Sequence, residues 1–254
     1  MSISDPPRGA VRRKLPAAAA ACTAWLALAW LAVPAPVHAA DAPSELQPGT
    51  MAARVAACTA CHGDQGRAGT DGYYPRLAGK PQEYLYHQLL NFRDDRRQYR
   101  PMQHLLANLP DAYLYEIAGY FAGQHVPYPP APAPAAPAAV LDQGRVLALQ
   151  GDPARGLPAC TACHGASLAG VQPAIPGLLG LPRDYLVSQI GGWKYDRRRA
   201  AAPDCMAEVA NRLTPADIGA VSAWLAAQPV TEPYAPEPAD SVTLPAECGS
   251  QAQR

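Results

Sequence analysis

The stretch CTACHG stands at residues 58–63 and again, unchanged, at residues 160–165, and the two copies take four of the seven cysteines in the chain. Thiols three positions apart leave a helical turn on the same side, and a histidine directly after the second shares that side. Cys58 and Cys61 with His62, and Cys160 and Cys163 with His164, therefore offer what covalent haem attachment needs. Two thiols can form thioethers with the porphyrin vinyl groups, and the imidazole can bind the iron. A redox dithiol would call for a βαβ context, which the sequence lacks. A zinc site would not explain one pair per copy, nor a histidine after each pair.

An iron held by one histidine still has a sixth position. Met102 and Met206 follow their motifs at matching places, 40 residues after His62 and 42 after His164, each expected in a loop before the last helix of its half. Methionine opposite histidine raises the reduction potential and closes the iron to substrates, which suits electron transfer. His87 and His104 are rival ligands in the first half. The second half has no histidine besides His164, so a symmetric bis-histidine scheme is excluded. His87, His104 and His125 read as ordinary surface or loop residues.

The elements that must position these groups occur twice. Pro75-Arg76-Leu77 lies opposite Pro176-Gly177-Leu178, and Glu83-Tyr84-Leu85 opposite Asp184-Tyr185-Leu186. Gln88, Phe92, Arg96 and Arg97 answer Gln189, Trp193, Arg197 and Arg198, and Leu109 answers Leu213. The chain is two copies of one module. Each copy predicts a helix running into CTACHG, a second starting at Pro81 or Pro182, and a last one. In module two the last helix has a Thr214-Pro215-Ala216-Asp217 start. Its apolar stripe is Ile218, Val221, Trp224 and Leu225, matched in module one by Leu114, Ile117, Tyr120 and Phe121. These stripes read as core. No strand pattern stands out, so the expected fold is all-α. The expected division is a signal peptide at 1–39, haem domains at 40–126 and 142–229, a proline-rich polyproline-type linker at 127–141, and a proline-rich tail at 230–254.

Arg8, Arg12, Arg13 and Lys14 precede an uncharged apolar run at 17–33, and Val37-His38-Ala39 fits a cleavage site. The expectation is export to the periplasm, with an uncleaved anchor as the alternative. Cleavage would leave 17 basic and 20 acidic residues, a mildly acidic balance that argues against a nucleic-acid partner. Two cysteines then remain beyond the motifs, Cys205 and Cys248. In an oxidising compartment an even remainder pairs, so a Cys205–Cys248 disulfide is expected to fold the tail back and brace Met206. The rival is Cys205 as a free thiol or haem ligand. Arginines gather near both methionines (Arg93, Arg96, Arg97 and Arg100, then Arg197, Arg198 and Arg199 with Lys194). They read either as a solvated face or as partners for haem propionates or an acidic redox protein.

From about residue 49 to 228 the chain resembles tandem di-haem class I cytochromes of the cytochrome c4 type. The resemblance rests on the two CTACHG motifs, Pro-x-Leu ahead of a Tyr-x-x-x-Gln helix in each module, Met102, Met206 and the last helices. It implies two all-α haem domains related by a pseudo-twofold, carrying two covalently bound c-type haems. It also implies single electrons shuttled in the periplasm from a quinol-oxidising complex or dehydrogenase to a terminal oxidase or reductase. No catalytic residue is evident. The alternatives are a haem oxidoreductase (thiosulfate dehydrogenase-like, through a Cys205 thiolate, or a peroxidase) and a haem subunit of a larger membrane dehydrogenase, which the tail could dock. Membrane contact is otherwise expected only through partners.

Overall fold

A computed structural model describes residues 48–69 and 71–251; the expected signal peptide lies outside the described residues. Module one contains α1 (Met51–Arg54), α2 (Ala56–His62), α3 (Gln82–Arg93), α4 (Arg100–Leu106) and α5 (Asp111–Ala122). Module two repeats the order with α6 (Ala138–Leu149), α7 (Thr161–His164), α8 (Arg183–Lys194), α9 (Cys205–Arg212) and α10 (Pro215–Ala226). In each module the long helix after the motif packs on the last helix, α3 on α5 and α8 on α10. The stripes meet there. Leu114, Ile117 and Phe121 are buried with Leu85 and Phe92. Val221 and Leu225 are buried with Leu186, and Ile218 lies beside Leu213.

The start of α10 follows from its sequence. Thr214 accepts a hydrogen bond from the Asp217 amide, Asp217 accepts one from the Thr214 amide, and Pro215 occupies the first turn. Asp217 also accepts bonds from Arg155 at 2.7 Å and Gln143 at 3.0 Å. Burial alone would raise its pKa, but the Arg155 and Thr214 bonds outweigh it and hold the carboxyl at about 2.

Four details differ from the sequence expectation. A single helix does not run into either motif. In module one it breaks at Val55 into α1 and α2. In module two α6 stops at Leu149, and a loop with Gly151, Pro153, Gly156 and Pro158 leads to α7; these residues cannot continue a helix. Second, Pro81 and Pro182 lie just outside α3 and α8, with extended ψ values of 136° and 142°. Third, a small antiparallel pair, β1 (Gly170–Val171) with β2 (Ile175–Pro176), closes the turn after the second motif. Fourth, the spacer ends at Pro137, because Ala138 and Ala139 already belong to α6.

Nor is the spacer free of the modules. Arg76, at the end of a loop in module one, donates to the carbonyls of Val126 and Pro127 and stacks 3.9 Å from the Tyr128 ring centroid. Tyr128 in turn meets Tyr234 of the tail edge to face, with centroids 5.3 Å apart. One cation thereby ties linker, tail and module one together.

The crossing of α6 and α10 depends on Gly144. A Cβ there would overlap the Ala220 carbonyl and stand 2.8 Å from Trp224 Cβ. Replacing a helical glycine by alanine gains about 1 kcal/mol of propensity, whereas overpacking costs about 1–3 kcal/mol. The clash is with backbone, which cannot rotate away. Gly144→Ala is therefore expected to be destabilising, by about 1 kcal/mol, with a lowered midpoint in thermal unfolding of the holoprotein.

Candidate functional site

Both motif histidines are buried and oriented in the same way. His62 on α2 donates from Nδ1 to the Pro75 carbonyl at 2.8 Å, and His164 on α7 donates to the Pro176 carbonyl at 2.7 Å. A carbonyl can only accept, so Nδ1 must carry the proton and Nε2 keeps its lone pair for a metal. Burial lowers the pKa of both rings, His62 and His164, which favours the neutral imidazole that ligation requires. The last letter of the motif has its own reason. Gly63 has φ 73°, and a Cβ there would overlap the Ala68 carbonyl, so no other residue fits the turn that releases the chain after His62.

The thiols line up with the rings. Cys58 is half-buried and packs against the module-one core, Cys61 is exposed, and Cys160 and Cys163 are half-buried. None of the four is paired with another cysteine. Burial pushes the Cys160 thiol up to about 12. Such a group is a poor thiolate at neutral pH, which disfavours a redox dithiol and suits an uncharged thioether.

Met102 and Met206 sit not in loops but in the first turns of α4 and α9. The Asp204 side chain caps α9 by accepting from the Ala207 amide at 3.1 Å, which makes a helix of the segment. Met102 packs against the module-one core. Met206 lines a cavity with Cys163 and His164, walled by Leu178, Leu186 and Leu225. Cys205 beside it is bonded to Cys248, with Cα atoms 5.2 Å apart. The tail between them is laced to the second motif's loop. Glu237 accepts from the Ser167 amide and hydroxyl, and the Tyr234 hydroxyl donates to the Leu168 carbonyl at 2.6 Å. His104 and His125 are exposed. His87 is not a surface residue: it is buried on α3, because that face of the helix is turned toward module two.

The two modules meet across two arginines. Arg97 donates to Gln88 of its own module (3.0 Å) and to Tyr185 (3.2 Å) and Gln189 (2.5 Å) of the other. Arg198 mirrors it, donating to Gln189 (2.9 Å), Tyr84 (3.3 Å) and Gln88 (3.0 Å). The backbone follows the same symmetry: the Gln98 amide donates to the Arg197 carbonyl at 2.8 Å and the Arg199 amide to the Arg96 carbonyl at 2.7 Å. Each guanidinium also stacks on the matching ring of its own module, Arg97 on Phe92 and Arg198 on Trp193. Both arginines are buried, as is Lys80 nearby. Among the described residues no carboxylate lies within ion-pair distance of any of the three.

Buried cations without a counter-ion are costly, so anions from outside the polypeptide are called for. The two carboxylates of a haem meet that need. With the oriented imidazoles and paired thiols, the residues fit the group. Arg97 and Arg198 thus belong to an interior, not a solvated face. Reading single residues missed the Pro75 and Pro176 carbonyls and the Tyr84, Tyr185, Gln88 and Gln189 contacts, although their recurrence in both modules was the signal.

Comparison with known proteins bears on the same residues. No protein-family model matches the chain. The "Thiosulfate dehydrogenase electron acceptor" of Thiomonas intermedia is 40% identical over 176 residues, covering 69% of this chain and 80% of that protein. Cytochrome c4 of Pseudomonas aeruginosa is 34% identical over 175 residues, covering 68% and 84%. The crystal structure of reduced recombinant cytochrome c4 from Pseudomonas stutzeri superposes with a TM-score of 0.57 at 30% identity, covering 69% of this chain and 95% of that one. The chain belongs to the cytochrome c4 family. As a member it carries two covalently bound c-type haems on tandem all-α domains, and it is an electron-transfer protein rather than an enzyme.

In this cytochrome the arginine pair should behave as one unit. Hydrogen bonds from charged groups contribute about 1.5–3 kcal/mol, and lysine keeps the charge but loses the fork. Arg97→Lys and Arg198→Lys are each expected to cost about 2 kcal/mol in denaturant unfolding of the holoprotein. Because Gln88 and Gln189 serve both, the double variant should lose clearly less than the sum.

Proposed function

We propose that Cys58 and Cys61 would attach one haem and Cys160 and Cys163 the other, with His62 and Met102 holding the iron of the first and His164 and Met206 that of the second. The first haem domain is assigned to 40–126 and the second, with α6 included, to 138–229 instead of 142–229. The supporting observation is the identical Nδ1–carbonyl bond on both histidines, which leaves each Nε2 its lone pair for iron. When bound, each haem supplies a one-electron iron couple. The chain's residues do the rest. His62 and His164 are held neutral by burial, Met102 and Met206 close the iron to water and substrates, and Arg97 with Arg198 offers donors to the haem carboxylates.

The proposal extends to its place in a chain of carriers. Working in the periplasm after export through residues 1–39, it accepts single electrons from a thiosulfate-oxidising or quinol-linked dehydrogenase and passes them to a terminal oxidase or reductase. The name of the Thiomonas relative supports the thiosulfate branch. The Cys205–Cys248 bond supports an oxidising compartment. It also leaves Cys205 no thiolate to offer iron, which disfavours the enzyme reading. Among the described residues no helix is long and apolar enough to cross a membrane.

The ligand assignment is checked by haem counting and spectra. Replacing Cys160 and Cys163 by alanine should lower a pyridine haemochrome assay from two haems per chain to one. Met102→Ala and Met206→Ala should each turn one haem high-spin and remove about half of the methionine–iron absorption near the red end. An unchanged band in either variant would overturn that ligand.

The donor is checked by mixing. Oxidised holoprotein should be reduced by thiosulfate together with a purified thiosulfate dehydrogenase, and not by thiosulfate alone. Reduction by thiosulfate alone would restore the enzyme reading, and no reduction in the mixture would leave the quinol-linked branch.

A further inference from the structure

Lys80 breaks the twofold pattern. It precedes Pro81 as Leu181 precedes Pro182, so a lysine in module one stands where module two has a leucine. Leu181 is buried in its own module's core beside Leu186 and Leu225. Lys80 is also shut off from solvent, at 9% exposure. It lines the module-two cavity, together with His164, Cys163 and Met206. Tyr84, Gln88 and Arg198 line the same cavity, the groups that meet at the module boundary, and the Arg76 and Arg97 charges also act on Lys80.

Arg97 and Arg198 do not distinguish the modules, because they exchange under the pseudo-twofold and share their partners, and Arg76, buried in module one opposite Gly177, is held on the spacer carbonyls and on Tyr128. Lys80 does distinguish them. It lines the cavity that holds Cys163, His164 and Met206, and its counterpart Leu181 carries no charge. An oxidised haem carries one more positive charge than a reduced one. A cation held close to it in a poorly screening interior therefore disfavours the oxidised state.

We propose that Lys80, although part of module one, caps the haem cavity of module two and raises the reduction potential of the haem held there. The inference rests on the assignment of Cys160, Cys163, His164 and Met206 to that haem. The step concerned is Fe(III) plus one electron giving Fe(II), with no proton or other reactant. Lys80 is a positioning charge and ligates nothing. Its effect is to draw the electron shared between the two sites toward module two.

The test is a potentiometric titration of the holoprotein at fixed pH and ionic strength. Lys80→Met keeps the length of the side chain and removes its charge. It should lower the module-two midpoint, so that the reduced-to-oxidised ratio there falls about tenfold at a given potential, while module one moves much less. Repeating the substitution in a Met102→Ala background assigns the step, since only module two then keeps the methionine–iron band. Lys80→Arg should restore a midpoint close to that of the parent, which a merely space-filling role would not require, and Lys80→Gln gives a second neutral variant. Two haems with an unchanged methionine band and unmoved midpoints would overturn the inference and leave the ligand assignment standing. A methionine band that stays undiminished in Met206→Ala, or that survives Met206→Ala in the Met102→Ala background, would instead overturn the assignment itself.

Discussion

Two like charges facing one another in the interior govern the architecture. Arg97 and Arg198 are desolvated and repel each other, and water cannot relieve them. What holds them is a set of shared acceptors, two amide oxygens and two phenols drawn from both modules, and the aromatic faces beneath them. No protein carboxylate among the described residues completes the balance. The haem carboxylates proposed above would complete it, and loading the haems and docking the modules would then be one thermodynamic problem. The long helices α3 and α8 supply the acceptors, and their packing on α5 and α10 sets where those acceptors stand.

The chemistry was more legible than the packing. CTACHG declared its purpose because thiol, thiol and imidazole have few joint uses at that spacing, and the repeat placed Met102 and Met206 in register. The last helices could be read from their stripes and from the cap at Thr214. What could not be read was set by distant contacts. His87 looked like a surface residue because its own helix says nothing about the module that covers it. Lys80 carries no mark of its own in the sequence, since only the second module's cavity makes it unusual. The spacer seemed to extend through residue 141, yet Ala138 turns helical because Gly144 lets α6 lie against α10. The arginine runs could be read as solvated faces or as partners for haem propionates or an acidic redox protein, and only the pairing of Arg97 with Arg198 shows two of those residues to be interior.

The two copies have also diverged in how they are closed. Module two is wrapped by the tail, which is laced through Tyr234 and Glu237 and fastened at Cys248 beside the residue that carries Met206. Among the described residues module one has no such strap, and its Cys61 remains exposed. The same scaffold therefore leaves the first motif more open than the second.

The mirrored backbone bonds at Arg96–Gln98 and Arg197–Arg199 have a further consequence. A surface whose residue in one copy contacts the equivalent residue in the other is isologous, the geometry of a twofold homodimer. Here both halves are tethered by a short proline-stiffened strand, so their pairing depends on effective concentration rather than on the amount of protein present. Dilution cannot separate the two modules, so the boundary between them is the same in a crowded compartment and in a sparse one.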